Sequence, residues 1–293
     1  MKFEAPKNTA QLGVEISDLD LTNKFTKEEI SNIRKQWLDY GVAVFPNQKL
    51  AHADFEQFSL LFGKFGDDPY LKSLDERPNI VEVKRSAEEK APPFGGSWHS
   101  DWSFQKTPPS ATLLHSKVIP PVGGDTLFAN TQLAYEDLDE DMKDKIKDFQ
   151  VIHSASLPYA DDGFYATEKE NRAMDILPSK KAKATQLHPL VKTHAETNKK
   201  CLFINPVYTL SIKDYSDEDS FLLLSFLYEH MSQDKYVYRH KWSENMLLMW
   251  DNRTVVHKAD GGYDGYERLL HSCLLYTSPS PRDVEESRMP SSA

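Results

Sequence analysis

His99 and Asp101 lie two residues apart in the stretch Trp98-His99-Ser100-Asp101. On a β-strand, or an extended continuation of one, side chains at i and i+2 leave the same face. An imidazole and a carboxylate can therefore reach one metal ion together. A third ligand is available far down the chain at His257, which follows Trp250-Asp251-Asn252-Arg253. Two histidines and one carboxylate on one face of an octahedron leave three positions open, the arrangement of non-haem Fe(II) oxygenases. A His-x-Asp pattern is common by chance, and its weight comes from what accompanies it. Arg268 follows His257 by eleven residues, across Gly261-Gly262-Tyr263, a turn signal between two strands. Its guanidinium can enter the same cavity and fork onto a carboxylate. Upstream, Pro120-Pro121-Val122-Gly123-Gly124-Asp125 marks another turn, after which Thr126 offers a hydroxyl where a strand begins.

These blocks resemble the TauD/TfdA group of Fe(II)- and 2-oxoglutarate-dependent dioxygenases. The matching stretches are WHSDWSF at 98–104, GGDTLF at 123–128, HPLVKTH at 188–194 and MWDNRTVVH at 249–257, and the likeness runs from Gly13 to His271. The resemblance implies that His99, Asp101 and His257 are the Fe(II) ligands. It implies that Thr126 and Arg268 hold the distal carboxylate of 2-oxoglutarate, and that a small anionic substrate of the sulfonate, aryloxy- or alkyl-carboxylate class is hydroxylated. O2 is consumed, and succinate and CO2 are released. Halogenating members replace the carboxylate matching Asp101 with a small residue, so its presence implies hydroxylation. The His, Tyr and Asn of taurine-specific members have no counterparts at Asp68, Leu71 and Gly95. The stretch YVYRHKW at 236–242 is closer to the aryloxyalkanoate members. Members acting on anions also carry an arginine four residues after the one matching Arg268, where this chain has Ser272. The competing reading is a non-catalytic or Zn(II)-dependent β-helix protein that retains the metal site. A zinc hydrolase has no use for Thr126 and Arg268 together.

The elements that must position these residues can be read from periodicity. Residues 26–40 form an amphipathic helix with Thr26 as N-cap and Glu29 three residues on. Further helices are expected at 52–62, 131–149 and 217–231, the last burying Phe221, Leu224, Leu227 and Tyr228. Short strands are expected at 42–45, 80–83, 111–114, 118–119, 236–239, 247–250 and 268–271, with a hairpin of 190–194 and 200–204. Residues 86–96 turn charged and then rich in Pro and Gly, a lid candidate as well as a plain solvated connection. Residues 159–184 are polar and irregular, an insertion expected to arch over the mouth of a barrel. Many short strands with few helices fit a mainly β chain with peripheral helices, and the family resemblance narrows its core to a double-stranded β-helix, the cupin-like jelly-roll.

The 293 residues are 39% hydrophobic and 11% aromatic, enough for one large core. A formal net charge of −10 lacks the basic footprint that phosphate backbones need, which argues against a nucleic-acid partner. No apolar run reaches the length of a membrane span, and the first residues lack a signal peptide's apolar region. Cys201 and Cys273 make no disulfide framework, which fits a reducing cytoplasm. The expected partner is a small molecule, with homo-oligomerisation left open. The stretch from CLLYTSPSPRD onward resembles a translated sequencing-library adapter. The expected organisation is therefore one dioxygenase domain over 1–272, with 273–293 outside the natural fold and Ser272 at the junction.

Most of the ten histidines are expected to be structural. His188 and His194 have no carboxylate at ligand spacing, and His115, His153, His240 and His271 are single residues in strand-like settings. Asp251 and Arg253 read as an ion pair closing a turn, Asp67-Asp68 as a solvated turn. Trp98, Trp102, Phe104 and Trp250 are expected to pack around the metal.

Overall fold

The computed structural model describes residues 1–276. Its largest sheet has nine strands. Val42–Phe45, Leu247–Asp251, Ala111–Val118, Arg268–Tyr276 and Arg77–Arg85 form its centre in that order. The first three of these are buried on both faces along nearly their whole length, and their side chains alternate between two cores. Ala43, Phe45, Leu113, Leu247 and Met249 face outward and pack under two helices, against Ile33, Trp37, Phe55 and Phe58. Val42, Val44, Leu114, Leu248, Trp250 and Leu270 face inward. There they meet Phe128 and Val255 of a three-stranded sheet formed by Val237–His240, Thr126–Asn130 and Val255–Ala259. Two sheets closing on one another in this way are the jelly-roll, a double-stranded β-helix.

The first helix, Lys27–Tyr40, starts on the expected capping box. The Glu29 N–H donates to Thr26 Oγ1 at 3.2 Å, and the Thr26 N–H donates to Glu29 Oε2 at 2.8 Å. It ends at Gly41, whose φ of 62° suits a residue without Cβ. The second helix, His52–Ser59, stops short of the expected 62. The single helix expected over 131–149 is two, Thr131–Glu136 and Glu140–Ile146. Asp139 restarts the helix by accepting from the Met142 N–H at 2.7 Å, which favours a new N-terminus over continuation. The helix Asp217–Met231 occurs as expected, but Phe221 is not on its buried face. Ser220, Leu223, Leu224, Leu227 and Met231 make the stripe, and Phe221 is 69% exposed.

Ala111–Val118 is one strand rather than two. Gln150–Ser154, Thr185–Pro189 and Thr209–Ile212 form a further sheet that periodicity missed, and the expected hairpin occurs as Val191–Thr193 with Lys200–Leu202. The insertion contains short helices at Ser156–Tyr159 and Phe164–Thr167. The expected domain boundary at 272 falls inside the last strand: Cys273, Leu274 and Leu275 go on pairing with Leu113, Thr112 and Ala111. Residues 277–293, the rest of the suspected adapter, lie outside the described residues.

Candidate active site

Both inner sheet faces carry polar groups into one cavity. On the small sheet Ala259 pairs with Thr126 and His257 with Phe128, and residues opposite one another share a face. Thr126, His257 and Ala259 therefore project together, and all three line the cavity. On the large sheet Thr112, Leu114, Trp250, Arg268, Ser272 and Leu274 line it from the other side. His99 and Asp101 are not on a regular strand. His99 makes an isolated antiparallel bridge with His257, through N–H to O contacts of 2.9 and 2.7 Å. The chain then turns at Asp101, and the next residue, Trp102, has a φ of 45°.

His99, Asp101 and His257 each offer a ligand atom, all within 4.8 Å of one another. His99 Nε2 lies 3.5 Å and His257 Nε2 3.7 Å from Asp101 Oδ1. His99 Nδ1 is 2.7 Å from the Ser97 carbonyl. That contact requires the proton on Nδ1, so the Nε2 lone pair is directed at the cluster. Burial pushes the Asp101 carboxyl up, with His99 opposing the shift, and burial pushes the His257 imidazolium well down. A neutral imidazole and a carboxyl short of positive charge are what a divalent cation relieves.

Asp101 is held by residues that the sequence did not single out for this task. Thr112 Oγ1 donates to Asp101 Oδ2 at 2.5 Å. Asn252 Nδ2 donates to Thr112 Oγ1 at 2.8 Å, and Asn252 Oδ1 accepts from the Asp101 N–H at 3.3 Å and from Trp250 Nε1 at 3.0 Å. Thr112 could have been suspected from its strand and alternation, but its partner eleven residues away in sequence follows only from the fold.

Arg268 enters the cavity as expected, 5% exposed. One of its terminal nitrogens donates to the Gly124 carbonyl at 3.1 Å, its Nε is buried without a partner, and no carboxylate lies within ion-pair distance among the described residues. Burial lowers its pKa. Thr126 Oγ1 accepts from Trp242 Nε1 at 2.9 Å, which leaves the hydroxyl proton to donate. A buried guanidinium without an anion, beside a free hydroxyl proton, fits a carboxylate ligand. Two glycine turns allow this approach. A Cβ on Gly123 would lie 2.6 Å from the Gly261 carbonyl oxygen, and one on Gly124 would lie 3.3 Å from Arg268 Nε.

Asp67 is exposed, but Asp68 is not the solvated turn expected. It lines the cavity and one of its oxygens is buried without a partner. Burial, with the Asp101 charge second, pushes its pKa up to about 8. Trp102 and Trp250 line the site as expected, with Trp250 4.7 Å from the His257 ring, whereas Phe104 is not a lining residue and packs behind Trp102 at 5.5 Å. Trp98 does not line it either. It packs beside the small sheet's outer core, under the Lys258 ammonium at 5.1 Å. Of the other histidines, His115, His240 and His271 are buried among their neighbours but each keeps one ring nitrogen without a partner. His188 meets the Gln105 carbonyl at 2.9 Å and His194 meets Asp251 at 3.1 Å. The Asp251–Arg253 pair is confirmed at 2.7 Å. A wider outer chamber of about 460 Å³ adjoins the cavity, walled by Phe94, Tyr159, Tyr165 and Tyr208.

A jelly-roll with a His–Asp–His cluster and an unpaired arginine in one cavity defines a metal-dependent oxygenase class. The family model for the taurine catabolism dioxygenase TauD, TfdA family, matches residues 4–274, and the chain belongs to that family. It is 30% identical to an alkylsulfatase of Acinetobacter baylyi, over 94% of this chain and 85% of the relative. It is also 30% identical to an alpha-ketoglutarate-dependent 2,4-dichlorophenoxyacetate dioxygenase of Burkholderia sp., over 84% of each. A taurine dioxygenase structure from Burkholderia xenovorans superposes with a TM-score of 0.77 at 27% identity, covering 94% of this chain and 90% of that one. The structure of AAD-2 with Mn(II) and N-oxalylglycine gives 0.74 at 26% identity, covering 95% and 99%. The protein is an oxidoreductase of the alpha-ketoglutarate-dependent dioxygenase group.

Proposed function

We propose that His99, Asp101 and His257 hold Fe(II), that Arg268 and Thr126 hold the distal carboxylate of 2-oxoglutarate, and that the enzyme hydroxylates a small organic anion. The observation that carries this reading is the convergence, in one cavity, of the His–Asp–His cluster and a buried arginine without a carboxylate. Fe(II) with 2-oxoglutarate and O2 supplies the oxidising chemistry when bound.

The chain's own residues bind, orient and exclude water. The Ser97 carbonyl fixes the His99 tautomer, so the ring presents a lone pair without reorganising. Thr112 and Asn252 fix the Asp101 carboxylate, leaving Oδ1 towards both histidines. Arg268 and Thr126 set the direction from which a dicarboxylate can reach the cluster. Trp102, Trp250, Tyr159 and Tyr208 make the remaining wall largely apolar, which keeps water from a reactive centre.

The aromatic outer chamber suits a substrate with an aryl or alkyl body. Sulfonates, sulfate esters and aryloxyalkanoates, the classes named for relatives, combine such a body with an anionic head. We place the enzyme in the cytoplasm. Both cysteines are free and buried, and no helix among the described residues is long and apolar enough to cross a membrane.

Anaerobic addition of Fe(II) and 2-oxoglutarate tests the assignment through the weak visible charge-transfer band of the chelate. The band is expected in the wild type and absent from His99→Ala. A folded, iron-loaded wild type that shows no band would sink the reading.

A further inference from the structure

A second cavity, of about 280 Å³, is built against the Asp251–Arg253 turn and shares no lining residue with the catalytic one. Lys106, Thr107, Lys192, Thr193, His194 and Arg253 line it, and none of its described lining residues is a carboxylate. The nearby acids are already taken. Asp251 pairs with Arg253 and His194, and Glu196 pairs with Arg253 and Arg34. The positive charge of Lys106 and Lys192 is left over, since neither makes an ion pair among the described residues. The Lys192 ammonium is half-buried, lies over the Phe203 ring at 4.2 Å from its centroid, and feels Asp251 and Arg253 with opposite signs without a direct ion pair among the described residues. Burial pushes its pKa down, so the folded chain carries a cost there that an anion would offset.

Solvated surface lysines are ordinary. Half-buried Lys192 and exposed Lys106, neither with an ion-pair partner among the described residues, line one concave site, and in a chain of net charge −10 they run against the sign of the molecule as a whole. We propose that this cavity binds a small oxyanion, of sulfate, phosphate or short-dicarboxylate size, between Lys192 and Lys106. The site adjoins supports of the metal centre. Arg253 follows Asn252, which holds Asp101, and Lys106 lies five residues beyond Asp101.

Equilibrium dialysis of radiolabelled sulfate tests this at constant ionic strength, set with chloride. The protein is loaded with Mn(II) and 2-oxoglutarate so that Arg268 is already engaged. Saturable binding of one sulfate per chain is expected, displaced by phosphate and by succinate. Lys192→Met should weaken it about tenfold or more, one missing charge-assisted contact, while Lys106→Ala weakens it less. Arg268→Met should leave it unchanged, whether or not 2-oxoglutarate binds, so the outcome does not depend on the oxygenase assignment. The melting temperature of sulfate-free Lys192→Met should equal or exceed that of the wild type, because a half-buried amine without an ion-pair partner has been removed. The proposal is overturned by any of three results: no saturable binding at millimolar sulfate, equal binding by a folded Lys192→Met, or loss of binding in Arg268→Met.

Discussion

The strands under the catalytic cavity and the loops over it hold their side chains by different means. Beneath, Asp101, Thr112, Asn252 and Trp250 form a chain of short hydrogen bonds, anchored in strands buried on both faces. Above, the segment before His99 is joined to the insertion by a charged cluster and by ring contacts. Arg172 pairs with Glu168 and lies 3.7 Å from Glu89, the Glu89 carboxylate accepts from the Ala173 N–H at 2.9 Å, and Phe94 packs on Tyr165 at 5.7 Å. The floor is fixed by the sheet register and the roof by pairings between loops. Geometry for chemistry should therefore be rigid while access is adjustable, since lids are drawn from the weakly packed end of a fold.

The largest effect is expected at the floor. Asp101→Ala removes the only carboxylate of the cluster and should abolish both metal retention and turnover, read by iron content after gel filtration and by succinate formation. Arg268→Met comes next. Losing one partner of a buried charged pair costs about 2–5 kcal/mol, so the 2-oxoglutarate requirement should rise by roughly a hundredfold or more. The ligand-free variant should melt higher than the wild type, because an unpaired buried guanidinium has been replaced by an apolar chain. A merely structural arginine would show the opposite, a lower melting temperature with unchanged 2-oxoglutarate affinity.

Asn252→Ala sharpens the comparison, because the residue touches neither metal nor substrate. Supports of this kind are worth about 10- to 100-fold in metal affinity or activity, and Fe(II) titration should show that loss. Asp68→Asn tests the boundary between floor and roof through pH. The Asp68 carboxyl has an ordinary pKa of 3.8 and is pushed up to about 8 in the fold. Below the ordinary value both states are protonated and there is no penalty. Between the two values the unfolded chain ionises first, so stability is lost progressively as pH rises, and the full penalty applies above about 8. The asparagine variant lacks this term. Its melting temperature should exceed that of metal-free wild type by a margin that grows from pH 4 to pH 8 and then levels off. A margin independent of pH would show that the carboxyl is not desolvated in the cavity.

Legibility in the sequence follows the same division. His99, Asp101, His257, Thr126 and Arg268 were readable because their chemistry is rare in combination and turn signals bracket them, and the structure gathers all five in one cavity. The five central strands of the large sheet were readable from their apolar runs, whereas its short outer strands Lys2–Glu4, Val14–Ser17, Lys64–Phe65 and Ser73–Leu74 were not. What stayed hidden depends on tertiary pairing. Thr112 and Asn252 became supports through a contact spanning 140 residues. Asp68 looked like a solvated turn because its burial comes from other segments. Phe221 looked like core because the 3.6-residue stripe of a Leu-rich helix can be drawn on more than one face. Trp98 was grouped with the metal by its neighbour, although adjacent residues on extended chain point apart.

The smallest effect should come from the roof. Arg172→Met removes the cation between Glu168 and Glu89, whose side chains are 8% and 3% exposed, and it also removes the guanidinium over the Tyr165 ring at 5.2 Å. Two buried acids are then left facing one another, an arrangement that loosens the segments carrying them. The insertion is not part of either jelly-roll sheet, so the opening should be local. Amide exchange should speed up in 86–98 and 160–176 and stay unchanged in Ala111–Val118 and Leu247–Asp251. The 2-oxoglutarate band should keep its position and midpoint. KM for a substrate should rise a few-fold, and succinate formed without product should increase, because a looser roof admits water to the same intact floor. If Arg172→Met instead shifted the band or the Fe(II) affinity, roof and floor would be one cooperative unit and the division drawn here would fail.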